Sequence, residues 1–199
     1  TFTNNLLFSP SNIFRGLLLL SFGARGNTSV QLNSTLHLQK IEKVDEKYKT
    51  WKGLHVPGVL EADRLYYDTS IEMKEQIKTL LTDDIRQVEM HDPSILEEIN
   101  SWVSNMTQGN IKELLNSPLG NIKLLLLSVV YMSAEWKEPF GNPEYTNKYD
   151  FHTMNGTKQA FLMFLRTNLL YTESSSLKSQ VVSLPYKDSP LSFIVFLPK

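Results

Sequence analysis

The feature that most constrains this chain is a nine-residue apolar run from Leu124 to Met132, interrupted only by Ser128. A helix needs about 20 apolar residues to span a bilayer, so this run is too short for a membrane anchor. Apolar and polar residues scarcely alternate from Ile122 to Met132, which is typical of a strand that is covered on both faces. The sequence therefore predicts a buried central strand at 122–132.

A helix is predicted before this strand, over Ile95–Met106. Its apolar residues recur at spacings of three and four: Ile95, Ile99, Trp102, Val103 and Met106. Such spacing places the apolar side chains on one face of a helix and leaves the opposite face polar. We expect this helix to bury its apolar face and leave its polar face in solvent.

The rest of the chain alternates between helical and strand patterns. Helices are predicted from Ser9 to Gly23, from the capping box Thr28–Gln31 onwards, and at 71–81. Strands are predicted at 60–67, 85–90, 149–153, 161–171, 181–184 and 191–197. The lysine-rich segment 40–53 is predicted to be a solvated helix or loop. These patterns indicate a mixed fold with no internal repeat and no domain linker.

One charged residue, Arg15, interrupts the apolar first helix. A buried guanidinium is costly unless it is paired or hydrogen-bonded. If the helix is central, we expect Arg15 to reach a partner or water.

Composition excludes several classes of function. The 199 residues include no cysteine, which rules out disulfide scaffolds, thiolate metal sites and cysteine nucleophiles. The 20 basic and 21 acidic residues give a net charge of −1, and affinity for nucleic acid requires clustered Lys and Arg. We therefore expect no nucleic-acid partner.

Histidines are the remaining candidates for a metal site or a general base: His37, His55, His91 and His152. None lies three or four residues from another, and no phosphate-binding loop or nucleophile elbow occurs. We expect no metal, no cofactor and no enzymatic activity.

Sequons for N-glycosylation occur at Asn27, Asn33, Asn105 and Asn155. Asn155 is predicted to lie in a turn and Asn105 on the polar side of its helix, so both should be accessible. Asn27 lies beside a predicted helix cap and is expected to be the least accessible. A sulfated polysaccharide could bind the lysines between Lys40 and Lys52, but acidic neighbours dilute them and favour a plain solvated surface.

The chain resembles the serpins over essentially its whole length. The segments that carry the resemblance are Phe8-Ser9-Pro10, Ser21-Phe22-Gly23-Ala24-Arg25-Gly26-Asn27-Thr28 with Gln31-Leu32, Ile99-Asn100-Ser101-Trp102-Val103, Thr107 to Leu115, Tyr131, Trp136, Pro139-Phe140, Thr146, Phe151, Leu184-Pro185-Tyr186 and Phe196-Leu197-Pro198. They follow the order and about the spacing of the family.

The resemblance implies an α+β serpin fold with a large central sheet. It also implies that residues 1–199 form a partial serpin domain. Most of the family's first helix would be missing before Thr1, and the C-terminal half with the reactive loop would lie beyond Lys199. The strand 122–132 would border the gap that receives the loop, and the helix 95–106 would lie across it.

Residues of the sheet-opening region follow from the same resemblance. Ser9, Asn12 and Ser128 would form the shutter cluster beneath the central strands, and Trp136 would lie in the breach at the top of the sheet. The family commonly has Ser at position 12 and Asn at position 128, so this sequence exchanges the two. We predict that Asn12 and Ser128 approach within hydrogen-bonding reach, directly or through one water, with Ser9 close by. If Asn12 is interior, its side chain should be satisfied.

The function that the resemblance implies is inhibition of a serine protease, or alternatively a cysteine protease, by a suicide mechanism. The protease cleaves an exposed reactive loop, stays acylated, and is carried along as the loop inserts into the sheet. The alternative is a non-inhibitory serpin that acts as a carrier, chaperone or storage protein. We expect an extracellular, secreted glycoprotein, with a cytoplasmic location as the alternative.

Overall fold

The computed structural model describes residues 6–141, 146–153 and 155–199. These fall into two compact units, one comprising the chain up to His55 together with Val59–Met132, the other comprising Val56–Gly58 and Ser133–Lys199. Each unit is described by itself. No helix in the described ranges has the length and apolar character that crossing a bilayer requires.

The first unit is built from helices on a mixed sheet. Its helices are α1 (Pro10–Gly23), α2 (Gly26–Thr35), α3 (Val44–Lys52), α4 (Glu75–Leu80) and α5 (Ser94–Met106), with a 3-10 turn at Leu38–Lys40. Its strands are β1 (Val59–Asp68), β2 (Ile85–Val88) and β3 (Leu124–Met132). The order in the sheet is β2-β1-β3, with β2 parallel and β3 antiparallel to β1.

Helices cover both faces of this sheet, because successive side chains of a strand point to opposite faces. Leu65 and Tyr67 of β1 pack in a core with Leu19 of α1. Tyr66 of β1 points the other way and packs with Ile99 of α5. The sheet therefore has two cores, one under α1 and one under α5.

The predicted central strand and its helix are confirmed. The strand begins two residues later than predicted, at Leu124, and α5 begins at Ser94. Leu127 and Val129 are buried under α5, while Leu126 contributes to the core under α1. Two-sided packing explains why the sequence of β3 scarcely alternates.

Antiparallel strands make up most of the second unit. They are β4 (Asn147–Thr153), β5 (Gly156–Leu162), β6 (Leu170–Ser174), β7 (Ser179–Pro185) and β8 (Ser192–Pro198). β4 pairs with β5, and a separate sheet has the order β6-β7-β8. The predicted strand 161–171 is wrong in its middle, since 163–169 forms no strand between β5 and β6.

The capping-box prediction at Thr28 is also wrong. α2 begins at Gly26, and its cap is Arg25, whose backbone is extended and whose side chain makes no capping bond. The chain therefore turns into the helix before Thr28, so the hydroxyl lies inside the first turns of α2. α4 is likewise shorter than the predicted 71–81.

Asp68 anchors the end of β1 through several donors. Its carboxylate accepts from Lys123 Nζ at 2.7 Å, from the Ser70 N–H at 3.1 Å and from the Met90 N–H at 3.3 Å. The hydrogen bond from Lys123, followed by those from Ser70, holds the pKa of Asp68 well below its usual range.

We predict that Asp68→Asn removes a contribution to stability that is present at neutral pH. A depressed pKa stabilises the folded state above the unfolded pKa of about 3.9, and that gain is lost as the pH falls from there towards the folded pKa. Urea unfolding of the complete polypeptide at several pH values should show wild type and variant converging in acid. Asp83→Asn is the control, because that side chain is 87% exposed. A deficit independent of pH would contradict the ionic explanation.

Candidate functional site

The predicted shutter residues lie on two elements of the first unit. Ser9 immediately precedes α1, Asn12 lies in α1, and Ser128 lies in β3. Ser9 is the cap of α1, and its Oγ accepts from the Asn12 N–H at 3.3 Å. A serine at this position satisfies a donor at the helix start that would otherwise have no partner. The Ser9 hydroxyl also shares a hydrogen bond with the Ser11 hydroxyl at 3.0 Å.

Asn12 is half-buried and faces an open cavity of about 350 Å³. The lining residues are Asn12, Ile13, Gly16, Leu17, Leu126 and Ser128. Asn12 Oδ1 is inaccessible to solvent and has no hydrogen-bond partner among the described residues. The described residues therefore give this oxygen no direct partner, and its satisfaction through one water stays a prediction.

No direct hydrogen bond joins the side chains of Asn12 and Ser128 among the described residues, although both residues line the same cavity, and contact through one water stays a prediction. Ser128 Oγ donates instead to Asp63 Oδ1 at 2.6 Å. A carboxylate is a stronger acceptor than a carboxamide oxygen, so the hydroxyl of Ser128 turns towards β1.

The partner expected for Arg15 is this same carboxylate. Arg15 Nε donates to Asp63 Oδ2 at 2.7 Å, and its Nη2 lies 2.5 Å from that oxygen. Arg15 Nη1 donates to Glu61 Oε2 at 2.7 Å, while Ser11 Oγ donates to Glu61 Oε1 at 2.9 Å. The guanidinium also lies 5.4 Å from the ring of Trp51 on α3.

Burial dominates the electrostatics of Asp63, which is only 4% exposed. Loss of solvent raises the pKa of Asp63, and the hydrogen bond from Ser128 and the charge of Arg15 offset only part of that rise. Burial of the ionised carboxylate therefore costs folding free energy, and the hydrogen bonds from Arg15 and Ser128 offset part of that cost.

Sequence reasoning missed Asp63 and Glu61 as members of this cluster. Part of the signal was present, because Arg15 is a single charge in an apolar helix, whereas Asp63 lies between the charged residues Glu61 and Arg64 and does not stand out. A buried positive charge and a buried negative charge in one domain are expected to pair, because an unpaired buried charge is costly.

Trp136 lies in the second unit, within an aromatic cluster. Its ring stacks on Tyr186 with centroids 4.8 Å apart and an interplanar angle of 14°. Phe140 and Phe193 meet it edge-on at 5.8 and 6.0 Å. A backbone bridge also joins Trp136 to Tyr186, so the indole is held from several sides.

The accessibility of the sequons agrees with the expectation at Asn105 and Asn155 and differs from it at Asn27. Asn27, Asn105 and Asn155 are exposed. Asn33 is half-buried, and its Nδ2 donates to Ser29 Oγ at 3.3 Å. The expectation that Asn27 is the least accessible is wrong, since its position in the first turn of α2 leaves it open to solvent.

Basic residues of α3 and the turn before it are partly neutralised. Lys43 pairs with Glu46, and Lys52 lies 2.7 Å from Asp84 Oδ2. Within the described ranges, no group of three or more histidines and carboxylates could hold a metal ion. A polyanion site on these lysines stays a prediction.

Comparison with known proteins establishes the class. The model of the family described as serpin (serine protease inhibitor) matches residues 2–199. The chain belongs to the serpins, a family of protease inhibitors rather than enzymes, and the described structure covers part of that fold.

Relatives and solved structures agree with this assignment. Leukocyte elastase inhibitor A of Mus musculus is 28% identical over 99% of this chain and 55% of its own length. Intracellular coagulation inhibitor 2 of Tachypleus tridentatus is 28% identical over 98% of this chain and 52% of its own length. The chain thus spans about half the length of these curated relatives.

Two solved structures show the likeness of fold. Emu ovalbumin superposes with a TM-score of 0.84 at 22% identity, covering 98% of this chain and 57% of that one. The cleaved viral serpin CrmA superposes with a TM-score of 0.82 at 27% identity, covering 98% of this chain and 63% of that one.

Proposed function

We propose that the complete polypeptide carrying this chain inhibits a serine protease as a suicide substrate. The protease cleaves a reactive loop and forms an acyl-enzyme, and insertion of that loop into the large sheet traps the enzyme before deacylation. The serpin match over residues 2–199 is the observation that carries this proposal. Relatives named as elastase and coagulation inhibitors support a protease as the partner.

The described sheet is consistent with this mechanism. β3 lies next to β1 in the described sheet. It is the strand that the family resemblance places beside the gap that receives the loop. In our proposal Ser9, Asn12 and Ser128 lie beneath the place where the sheet opens, and Trp136 serves the breach.

The proposal predicts a covalent complex that survives boiling in detergent. The complete polypeptide is incubated with elastase-like, chymotrypsin-like and trypsin-like proteases and analysed by denaturing electrophoresis. We expect a band at the summed mass with one of these proteases, because the acyl bond is not hydrolysed once the loop inserts. The same protease with its active-site serine blocked is the control and should give no band. Clean cleavage by every protease tested would favour the non-inhibitory alternative of a carrier, chaperone or storage protein.

Location is a separate part of the proposal. A relative named as an intracellular coagulation inhibitor supports the cytoplasmic alternative. The expectation of secretion and glycosylation rests on the sequons alone, and the names of the relatives do not support it. We retain the cytoplasmic location as the better supported of the two.

Glycosylation gives the sharper test of location. If the complete polypeptide enters the secretory pathway, Asn155 in the β4–β5 turn and Asn105 should carry glycans, and half-buried Asn33 should carry the least. Mass spectrometry before and after glycan removal, on material from the native cells, measures this. Thr157→Ala destroys the sequon at Asn155 and is the matched control. Unmodified asparagines at all four sites would support the cytoplasmic location.

A further inference from the structure

An Asn-Gly pair lies at the connection between β4 and β5. Asn155 is the only asparagine of the 199 residues that a glycine follows. β4 ends at Thr153 and β5 begins at Gly156, so the pair lies where the hairpin reverses direction. Asn155 and Gly156 are both exposed. The pair is therefore open to solvent.

Gly156 has a backbone conformation that favours glycine. Its φ is +116°, in a region that residues with a Cβ rarely enter. No described heavy atom lies within 4 Å of the position that a Cβ on Gly156 would occupy. The carboxamide of Asn155 can therefore approach the backbone nitrogen of Gly156 without meeting a side chain there.

One hydroxyl group holds the turn through backbone atoms. Thr153 Oγ1 donates to the Gly156 carbonyl at 2.7 Å and accepts from the Asn155 N–H at 3.2 Å. These two bonds do not restrain the carboxamide of Asn155. Pairing of β4 with β5 ends at Thr153 and Gly156 in a sheet of two strands, and the last pair of such a ladder opens at low cost.

We propose that Asn155 undergoes spontaneous deamidation and isomerisation in the folded protein, and that this reaction competes with N-glycosylation for the same side-chain nitrogen. The reaction requires no enzyme, because its nucleophile is the backbone nitrogen of Gly156. The inference goes beyond the inhibitory function proposed above and does not depend on it.

The reaction passes through a five-membered imide. The nitrogen of Gly156 loses its proton and attacks Cγ of Asn155, and Nδ2 takes up a proton and leaves as ammonia. Water then adds to one of the two imide carbonyl carbons. Addition at Cγ gives aspartate, and addition at the main-chain carbon gives isoaspartate, whose backbone runs through Cβ and Cγ. One water is consumed, one ammonia is released, and one negative charge is added to the formal −1 of the chain.

Glycosylation would use the same nitrogen. Asn155, Gly156 and Thr157 also form a sequon, and a glycan would be attached to Nδ2 of Asn155. The sugar then occupies the nitrogen that has to leave, so the glycosylated side chain does not close to the imide. A chain that enters the secretory pathway keeps its asparagine linkage, whereas a chain that stays in the cytoplasm accumulates aspartate and isoaspartate.

Two helical asparagines serve as internal references. Asn33 lies in α2 and Asn100 in α5, and each precedes a serine whose N–H points along the helix axis. Asn33 Nδ2 donates to Ser29 Oγ at 3.3 Å. Asn100 Oδ1 accepts from the N–H groups of Leu114 and Leu115, each at 2.9 Å. Both carboxamides are thus held away from the nitrogen that would attack them.

The first test follows the complete polypeptide, made without glycans in a bacterial cytoplasm, during incubation at neutral pH. Peptide mapping by mass spectrometry measures aspartate at each asparagine, and enzymatic methylation of isoaspartyl carboxyl groups identifies the isomer. In the folded protein we expect Asn155 to react at least about tenfold faster than Asn33 or Asn100. The same measurement in denaturant gives each rate without the fold. If folding slows Asn155 by more than about tenfold, the turn protects it and the proposal is wrong.

A pair of variants assigns the added charge to this position. Asn155→Gln keeps a carboxamide but would have to close a six-membered ring, which forms far more slowly. Thr157→Ala destroys the sequon and keeps the Asn-Gly pair. Isoelectric focusing of unglycosylated material should show a more acidic species accumulating in wild type and Thr157→Ala, and this species should be lost in Asn155→Gln. Equal accumulation in all three proteins would place the reaction elsewhere and overturn the proposal.

Competition is tested in cells that secrete the complete polypeptide. Glycans are removed in water enriched in heavy oxygen, because the enzyme converts the linked asparagine to aspartate and marks it with the isotope. We expect labelled aspartate at position 155 in wild type, and unlabelled aspartate and isoaspartate there in Thr157→Ala. Unlabelled isoaspartate at equal levels in both proteins, with wild type glycosylated, would contradict the competition. Absence of a covalent complex with a protease would refute the inhibitory function and alter none of these results.

Discussion

Replacing Arg15 by alanine is expected to lower the free energy of unfolding of the complete polypeptide by about 3–5 kcal/mol. The substitution leaves the Asp63 carboxylate buried at 4% exposure without its charged donor. It also removes the hydrogen bond to Glu61 and the contact with Trp51. Denaturant unfolding at neutral pH, with the slope compared to wild type, measures the change.

The matched control is Arg25→Ala. Arg25 is exposed, and its hydrogen bond is to the carbonyl of neighbouring Ala24. Its replacement should change stability by no more than about 0.5 kcal/mol. If Arg15→Ala also loses no more than about 0.5 kcal/mol, the contacts of Arg15 with Asp63 and Glu61 contribute little to stability.

The deficit in Arg15→Ala should depend on pH in a defined direction. The pKa of Asp63 is already raised by burial, and removing the charge of Arg15 raises it further. Asp84 also acts to raise it, and the Ser128 hydroxyl, which acts to lower it, remains. A carboxyl with a raised folded pKa binds its proton more tightly when folded, so the penalty is relieved as the pH falls through that pKa. The deficit should therefore be smaller at about pH 5 than at about pH 7.5.

Local patterns in the sequence were sufficient to predict the central elements of the first unit. The residues of β3 and α5 themselves determine their secondary structure. A nearly continuous apolar run fits a strand covered on both faces, and apolar residues spaced three and four apart fit a helix with one buried face. Both are nearly where the sequence places them. The packing of α5 on the sheet follows, because its apolar face must be buried.

The ends of helices and strands, and the turns between them, could not be predicted from the sequence because they depend on tertiary contacts. α2 begins before Thr28 because Arg25 takes an extended backbone, and the segment 163–169 leaves strand geometry although its residues resemble their neighbours. Apolar residues continue through Met163 and Phe164, so the periodicity does not mark where pairing with β4 ends. Tertiary pairing, rather than propensity, sets those limits.

The side-chain network was the least predictable part. The exchange of residue types at Asn12 and Ser128 indicated contact between them, directly or through one water, but Ser128 donates to a third residue, Asp63. Hydroxyl groups turn towards the strongest acceptor within reach, so a buried charge nearby changes the partners expected from two residues alone. Among the described residues, Asn12 Oδ1 has no hydrogen-bond partner.

The second core of this unit gives the other large prediction, which concerns Trp102. Its side chain on α5 is 8% exposed and packs in the core with Tyr66 and Ile99. The guanidinium of Arg64 on β1 lies 4.7 Å from the centre of its ring. Arg64 Nε is buried and has no hydrogen-bond partner among the described residues, so the face of the indole is a principal contact of that cation.

Trp102→Ala is expected to cost about 3–5 kcal/mol of unfolding free energy, because it opens a large cavity between α5 and the sheet and removes the ring that the Arg64 guanidinium contacts. Trp102→Phe keeps an aromatic face for Arg64, so its loss of unfolding free energy should be less than about half of the loss in Trp102→Ala. Ser101→Ala, on the exposed side of the same helix, is the control and should stay within about 0.5 kcal/mol of wild type. Denaturant midpoints of the three variants measure these differences. A loss below about 1 kcal/mol for Trp102→Ala would mean that α5 is held to the sheet mainly by Ile99 and its other apolar contacts.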